Sequence, residues 1–139
     1  MCKMKFVLLL CMVLYVTGLN EKQMKAAVKL ARNMCQPKTK ASNEDIEKMH
    51  SGDWNVDHSA MCYMFCALNM YKLMHKNNTF NYESAMTQLA QLPDSYRSFV
   101  KVCMDQCQDK AVTLNDKCAA AYELSKCMYF CNPEKYFLP

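Results

Sequence analysis

The chain has 139 residues and a net charge of +4 at pH 7, with ten cysteines, thirteen methionines and two glycines. The length fits one domain, and the charges are interspersed rather than clustered, which argues against a nucleic-acid-binding surface. Because Gly52 is the one glycine beyond residue 18, the glycine-rich loops that bind dinucleotides or nucleotide phosphates are excluded.

Residues 1–18 have the pattern of a secretory signal peptide. Two lysines precede an apolar run over residues 6–16, and small or β-branched residues follow at a suitable cleavage site. The run is too short to anchor the chain in a bilayer, and no later segment resembles a transmembrane span. We therefore expect cleavage after Gly18 and a secreted, extracellular domain over residues 19–139, without a membrane anchor.

Beyond the leader, apolar residues recur at intervals of three and four, which predicts amphipathic helices, and no segment shows the alternation typical of strands. Capping residues, prolines and polar stretches separate six such segments, so we expect an all-α fold of six helices. In chain order they are 20–35, ended by Pro37; a short helix from the Ser42 cap to Ser51-Gly52-Asp53; Asp57 to about Lys76; a short helix capped by Asn81; Pro93 to about Lys110; and Asp116 to Cys131.

Eight cysteines lie beyond the leader, and six of them form a frame with 26, 3, 40, 10 and 8 residues between successive members. Cys62 and Cys66 are four apart, so they share one face of the third helix and can bond two different neighbours. Cys118 and Cys127 are nine apart, which puts them on opposite sides of the sixth helix. Cys35 and Cys107 complete the frame. Spacing alone does not select among the possible pairings.

With this frame, the chain resembles the insect odorant-binding proteins of the pheromone- and general-odorant-carrier type. The match spans the whole mature chain and includes the Met-Cys-Tyr-Met-Phe-Cys segment at 61–66, Gly-Asp at 52–53, Gln-Leu-Pro at 91–93 and the terminal Lys-Tyr-Phe-Leu-Pro at 135–139. The resemblance implies a disulfide-linked six-helix bundle that encloses an apolar cavity. It also implies the pairs Cys35–Cys66, Cys62–Cys118 and Cys107–Cys127.

Two further cysteines depart from the six-cysteine pattern. Cys103 lies one helical turn before Cys107, and Cys131 lies one turn after Cys127. If the fifth and sixth helices are antiparallel, the two positions meet beside the Cys107–Cys127 bridge, which predicts a fourth disulfide, Cys103–Cys131. The alternative is two free, buried thiols.

The sequence contains no recognisable catalytic group of residues. His50, His58 and His75 lie on different predicted elements, and no serine or cysteine nucleophile motif accompanies them. A secreted phospholipase A2 would need a glycine-rich calcium loop, which is missing. Because secretion favours disulfides over metal-bound thiolates, we expect no metal, no cofactor and no enzymatic activity.

The inner faces of the helices can line one apolar cavity, although a solid core would show similar stripes. The terminal residues 136–138 would be costly to leave in water, so we expect the tail to fold inward as one wall. A hydroxyl of Tyr122, Ser59 or Tyr63 could orient a polar head. The residues expected to contact the ligand are Met64, Leu68, Met86, Leu89, Phe99, Val100, Met104, Tyr122, Phe137 and Leu138.

The resemblance also implies a docking site for the tail. In similar proteins a tyrosine and an arginine bind the C-terminal carboxylate, and these roles fall here on Tyr63 and Arg32, with Pro139 as the terminal residue. For ligand release at mildly acidic pH, His58 or His75, which flank the third helix, is the expected switch.

We therefore expect a secreted carrier, monomeric or weakly dimeric, that takes a small hydrophobic odorant or pheromone through aqueous lymph towards an odorant receptor. One alternative is a salivary or reproductive-fluid scavenger of lipids or amines, but the expected contact residues include no acid that would capture an amine. A second alternative is a secreted helical signalling protein, which would have a solid core instead of a cavity.

Overall fold

The computed structural model describes residues 18–139, so the predicted leader lies outside the described residues apart from Gly18. The described part forms six α-helices, which confirms the predicted all-α class, and its one extended pairing is an isolated bridge between Met74 and Phe80. None of these helices is both long and apolar enough to cross a membrane. The elements are α1 (Glu21–Thr39), α2 (Asn43–His50), α3 (His58–Met70), α4 (Tyr82–Leu89), α5 (Asp94–Cys107), α6 (Lys117–Cys131) and a 3₁₀ turn (Pro133–Lys135).

Polar side chains cap the N-termini of four helices. The Asn20 side chain accepts from the Gln23 backbone at 2.8 Å, and the Gln23 side chain accepts from the Asn20 backbone at 3.0 Å, which is a reciprocal capping box. The side chains of Ser42, Asn81 and Asp116 each accept from backbone N–H groups at the starts of α2, α4 and α6, and the caps at Ser42 and Asn81 were predicted. These bonds satisfy backbone donors that would otherwise lack a partner.

Helix α1 does not end at Pro37 as predicted but continues to Thr39. A proline inside a helix removes one backbone hydrogen bond. Here the proline lies in the last turn, where that loss affects one carbonyl, and the hydroxyl of Thr39 donates to the carbonyl of Cys35 at 2.9 Å. The helix ends at Lys40, whose φ of 59° is left-handed.

Helix α3 ends at Met70, about one and a half turns before the predicted end near Lys76. Lys72 has a φ of 56°, which turns the chain out of the helix. The following residues form a short antiparallel turn in which the Asn81 N–H donates to the Leu73 carbonyl at 2.8 Å. This turn places Leu73 and Phe80 beside the start of α4.

The centre of the bundle is α3, which packs mainly against α6 and α1, while α5 packs against α6 and α4. Four disulfides connect the described helices, and they are the same four pairs that were expected. Each closes a loop of 20 to 56 residues, for which chain entropy gives a stabilisation of roughly 3–4 kcal/mol. Cys35–Cys66 joins α1 to α3, Cys62–Cys118 joins α3 to α6, and Cys103–Cys131 and Cys107–Cys127 join α5 to α6.

The buried side chains divide into two clusters. The main core lies where α2, α3 and α6 meet, and it includes Ile46, Met49, Tyr63 and Met64, all at most 1% exposed. The second cluster is much smaller and lies between α4 and α5. The two halves of the domain are therefore filled to different degrees, and the sparsely filled half is the one that contains the cavity described below.

The fourth disulfide gives a direct prediction. Thiol titration of the denatured, unreduced mature protein, residues 19–139, should find no free thiol, and peptide mapping should recover Cys103 linked to Cys131. Replacing both cysteines by serine should lower the free energy of unfolding by about 3 kcal/mol, measured by urea denaturation. Two reactive thiols on peptides with Cys103 and Cys131 would contradict this bridge and leave the other three unaffected.

Candidate ligand-binding site

An apolar cavity of about 400 Å³ lies inside the domain, a volume within the usual range for small-molecule sites. Its wall combines α1, the end of α3, α4, α5, α6 and the C-terminal tail. Among residues 18–139, no charged side chain lines it. The lining residues are Leu19, Met24, Ala27, Val28, Leu68, Tyr71, Leu73, Phe80, Ala85, Gln88, Leu89, Gln91, Leu92, Val100, Met104, Leu124, Met128, Phe137 and Leu138.

Six of the ten residues expected to contact a ligand lie together in this wall. They come from four different elements, because α3, α4, α5 and the tail each present an apolar face to the same space. The structure therefore brings six of the expected side chains together around one cavity. The six residues are Leu68, Leu89, Val100, Met104, Phe137 and Leu138.

The other four expected contact residues lie elsewhere. Met64 is fully buried in the main core, one turn away from Leu68 on α3. Met86 is partly buried against the small cluster, and Phe99 packs against Tyr96 with a ring-centroid distance of 5.3 Å. The same helical stripe supplies core and cavity residues, so its period alone does not separate them.

Tyr122 was expected to orient a polar ligand head, but its hydroxyl donates to the backbone carbonyl of Trp54. Its ring also packs edge-on against the Trp54 ring at 5.6 Å. The second candidate, Tyr63, is completely buried in the main core, and the third, Ser59, is absent from the lining of the cavity. The tyrosines of the core are therefore used for packing and not for ligand contact.

The first helix and the residues before it contribute a wall that the sequence analysis did not assign to the site. Met24, Ala27 and Val28 form part of the apolar stripe recognised in the first helix, and they face the cavity. Leu19 joins them because its N–H donates to the Gln91 carbonyl at 2.8 Å, across the loop between α4 and α5. Spacing identified the stripe but not the partner that it faces.

Two partly buried polar side chains, Tyr71 and Gln88, interrupt the apolar wall. The Tyr71 hydroxyl donates to the Ala27 carbonyl at 3.3 Å, and burial raises the pKa of Tyr71, so the group is neutral. Gln88 donates its amide hydrogens to the Tyr71 carbonyl and to Ser84 Oγ, the latter at 3.2 Å. The polar part of the wall is therefore uncharged and already partly hydrogen-bonded within the protein.

The C-terminal tail folds inward. The Tyr136 ring packs against the rings of Tyr129 and His50 with centroid distances of 5.2 and 5.5 Å, and burial raises the pKa of the Tyr136 hydroxyl. The next two residues, Phe137 and Leu138, line the cavity. The tail thus connects the aromatic part of the core to the wall of the site.

The residues expected to bind the end of the tail are placed differently. Arg32 Nη1 donates to Glu47 Oε1 at 3.0 Å, because α1 and α2 bring the two side chains together. The Tyr63 hydroxyl is buried and has no hydrogen-bond partner among the described residues. The group beside the Pro139 backbone is His50: burial lowers the pKa of its imidazole, and a hydrogen bond with Pro139 partly opposes that shift.

The two histidines proposed as pH switches lie elsewhere. His58 Nε2 is 2.8 Å from Asp116 Oδ2, and its Nδ1 is 3.6 Å from Cys62 Sγ. His75 lies in the turn after α3 and is exposed. The group of His58, Cys62 and Cys118 has the proximity of a metal site, but the two sulfurs form a disulfide and are not thiolate ligands.

Comparison with known proteins places this fold and cavity in a family. Residues 18–130 match the model of the PBP/GOBP family. The chain is 28% identical over 121 residues to general odorant-binding protein 72 of Anopheles gambiae, covering 86% of this chain and 99% of the relative. The solved structure of odorant-binding protein 4 from Chrysopa pallens is 40% identical with a TM-score of 0.82, covering 87% of this chain and 99% of the other.

A further solved structure shares the disulfide number. Odorant-binding protein 7 from Anopheles gambiae, solved with four disulfide bridges in complex with an azo compound, has a TM-score of 0.69 at 21% identity and covers 84% of this chain and 91% of the other. At that identity the likeness concerns the fold alone. The family-model match over residues 18–130 shows that the chain belongs to the PBP/GOBP family of insect odorant-binding proteins. Members of this family are small-molecule carriers and not enzymes.

Proposed function

We propose that the chain carries its small hydrophobic ligand in the cavity between α1, α4, α5 and the tail. The observation that carries this proposal is an uncharged, largely apolar volume of about 400 Å³ inside a disulfide-linked helical shell. Affinity would come mainly from burying the apolar surface of the ligand, which contributes roughly 25 cal/mol per Å². Methionines in the wall, such as Met24, Met104 and Met128, can adjust to ligands of several shapes.

We further propose that the protein is secreted and takes its ligand through aqueous lymph towards an odorant receptor. The basic and apolar pattern of residues 1–18 and the four disulfides support an extracellular location. The alternatives fit the site less well. Amine capture would require an acid in the wall, and a signalling protein with a solid core would not need this cavity.

A bulky substitution in the cavity wall tests whether the ligand binds in this cavity. Leu89→Trp places an indole in the volume that the ligand needs, so we expect at least a tenfold loss of affinity with unchanged helical content by circular dichroism. The measurement is binding of the fluorescent apolar probe N-phenyl-1-naphthylamine. Val112→Trp, at a position 70% exposed and outside the cavity lining, is the control.

Met64→Trp distinguishes a change in the main core from a change in the cavity. Because Met64 is fully buried in the main core, the larger ring should lower the free energy of unfolding by about 1–3 kcal/mol through overpacking. Unchanged probe binding in a folded Leu89→Trp variant would show that the ligand lies elsewhere.

His50 gives the site an expected pH dependence. Burial, to which the Tyr136 ring of the tail contributes, lowers the folded-state pKa of His50 below the ordinary value of 6.5. The stability that neutral His50 contributes is therefore present above that value and is lost as pH falls through the lowered pKa. The hydrogen bond with Pro139 and the charge of Glu47 oppose this shift, and the charge of Arg32 adds to it. We expect weaker ligand affinity at pH 5 than at pH 7, and removal of residues 136–139 should abolish most of the difference.

The matched variants assign the effect to one histidine. His50→Gln, which does not titrate, should flatten the affinity difference between pH 5 and pH 7, whereas the exposed His75→Gln should retain it. Probe displacement at both pH values is the measurement. Equal affinities in the full-length protein at the two pH values would show that the tail is a fixed wall.

A further inference from the structure

We infer that the cavity selects ligands with a hydrogen-bond donor, and that it therefore binds alcohols in preference to aldehydes, esters and carboxylates of the same length. The residue that makes this distinction is Gln88. The inference rests on the proposed function, because it concerns the polar end of a ligand held in the same cavity.

The orientation of the Gln88 amide is fixed by its partners. Its Nε2 group donates to the backbone carbonyl of Tyr71, which can only accept a hydrogen bond, and also to Ser84 Oγ at 3.2 Å. Both amide hydrogens are therefore engaged. The remaining polar atom, Oε1, is an acceptor that receives no hydrogen bond from the described residues, on a side chain that lines the cavity.

Tyr71 has the same polarity towards a ligand. Its hydroxyl proton points to the Ala27 carbonyl at 3.3 Å, so its oxygen can accept but has no second proton to donate. The third polar residue of the wall, Gln91, has an exposed side chain, and its backbone carbonyl accepts from Leu19. The polar atoms of Gln88 and Tyr71 that remain free to bond a ligand are thus acceptors, and they complement a ligand that donates.

Ligand groups that only accept meet no free donor among the partly buried side chains of this wall. An aldehyde or an ester would lose its hydrogen bonds with water without replacement. A carboxylate is disfavoured most, because among residues 18–139 no lysine, arginine or histidine lines the cavity to balance its charge. The expected order of affinity is alcohol, then aldehyde or methyl ester, then carboxylate.

The experiment compares 1-dodecanol, dodecanal and dodecanoate as competitors of N-phenyl-1-naphthylamine at pH 7. In the wild-type protein we expect the alcohol to bind about three- to tenfold more tightly than the aldehyde, the effect of one neutral hydrogen bond. Gln88→Met removes the acceptor and keeps an unbranched side chain, so it should bring the alcohol to the affinity of the aldehyde. Gln108→Met, at an exposed position outside the cavity, should leave the ratio unchanged.

The readout is the ratio of alcohol affinity to aldehyde affinity. Loss of the bond from Gln88 to the Tyr71 carbonyl would change the affinities of all the ligands together and leave this ratio unchanged. Gln88→Lys is a second variant, which places a cation in the wall and should raise the affinity of dodecanoate above that of the wild type. Equal affinities of alcohol and aldehyde in the wild type, or a ratio that Gln88→Met leaves unchanged, would overturn the inference while probe uptake upheld the carrier function. Failure of the probe to enter the wild-type protein would overturn the proposed cavity function itself.

Discussion

The cross-links of α3 and α6 are the constraint on which the cavity depends. Unfilled volume in an apolar interior costs roughly 24 cal/mol per Å³, so leaving about 400 Å³ unpacked would cost at most on the order of 10 kcal/mol, and less where the cavity is open to solvent. That is comparable with the whole stability of a domain of this size. Four disulfides at roughly 3–4 kcal/mol each offset a cost of this magnitude, because they restrict the unfolded chain.

The tail links the rigid core to the ligand. Tyr136 is held among the aromatic rings of the core, and the next two residues form part of the cavity wall. A ligand that contacts Phe137 and Leu138 therefore stabilises the docked tail, and by thermodynamic linkage the docked tail raises ligand affinity to the same degree. His50 lies beside the end of the tail, so in the proposed pH dependence its protonation would act on the ligand through this coupling, without contact between the two.

Most of the fold could be predicted from the sequence because its signals are local. Side-chain caps at Ser42, Asn81 and Asp116 begin three helices where the sequence placed them. The disulfide pairs followed from a family resemblance and from one helical turn of offset at Cys103 and Cys131. The predicted end of α3 was misplaced because the residue with the left-handed conformation is Lys72. Glycine at this position would have indicated such a turn, whereas lysine does not.

The site was predictable only in part, because the spacing of apolar residues along a helix does not determine which neighbouring element they face. Met64 and Leu68 are one turn apart on the same stripe, but one belongs to the core and the other to the cavity. His50 was overlooked because its contact with the tail joins residues 89 positions apart. Gln88 gave no signal, since a glutamine in a short helix is usually on the surface.

Helix α4 differs from the other helices around the cavity in how it is held. The lining helices α1, α3, α5 and α6 each carry a disulfide among the described residues, whereas α4 carries none. It is attached instead by hydrogen bonds, from Gln88 to the Tyr71 carbonyl and from Leu19 across the loop that follows it. This part of the wall is therefore held by packing against α5 and by hydrogen bonds, without a covalent cross-link. Gln88 fastens this wall through its bond to the Tyr71 carbonyl, so under the inference above one residue would both hold α4 and select the polarity of the ligand.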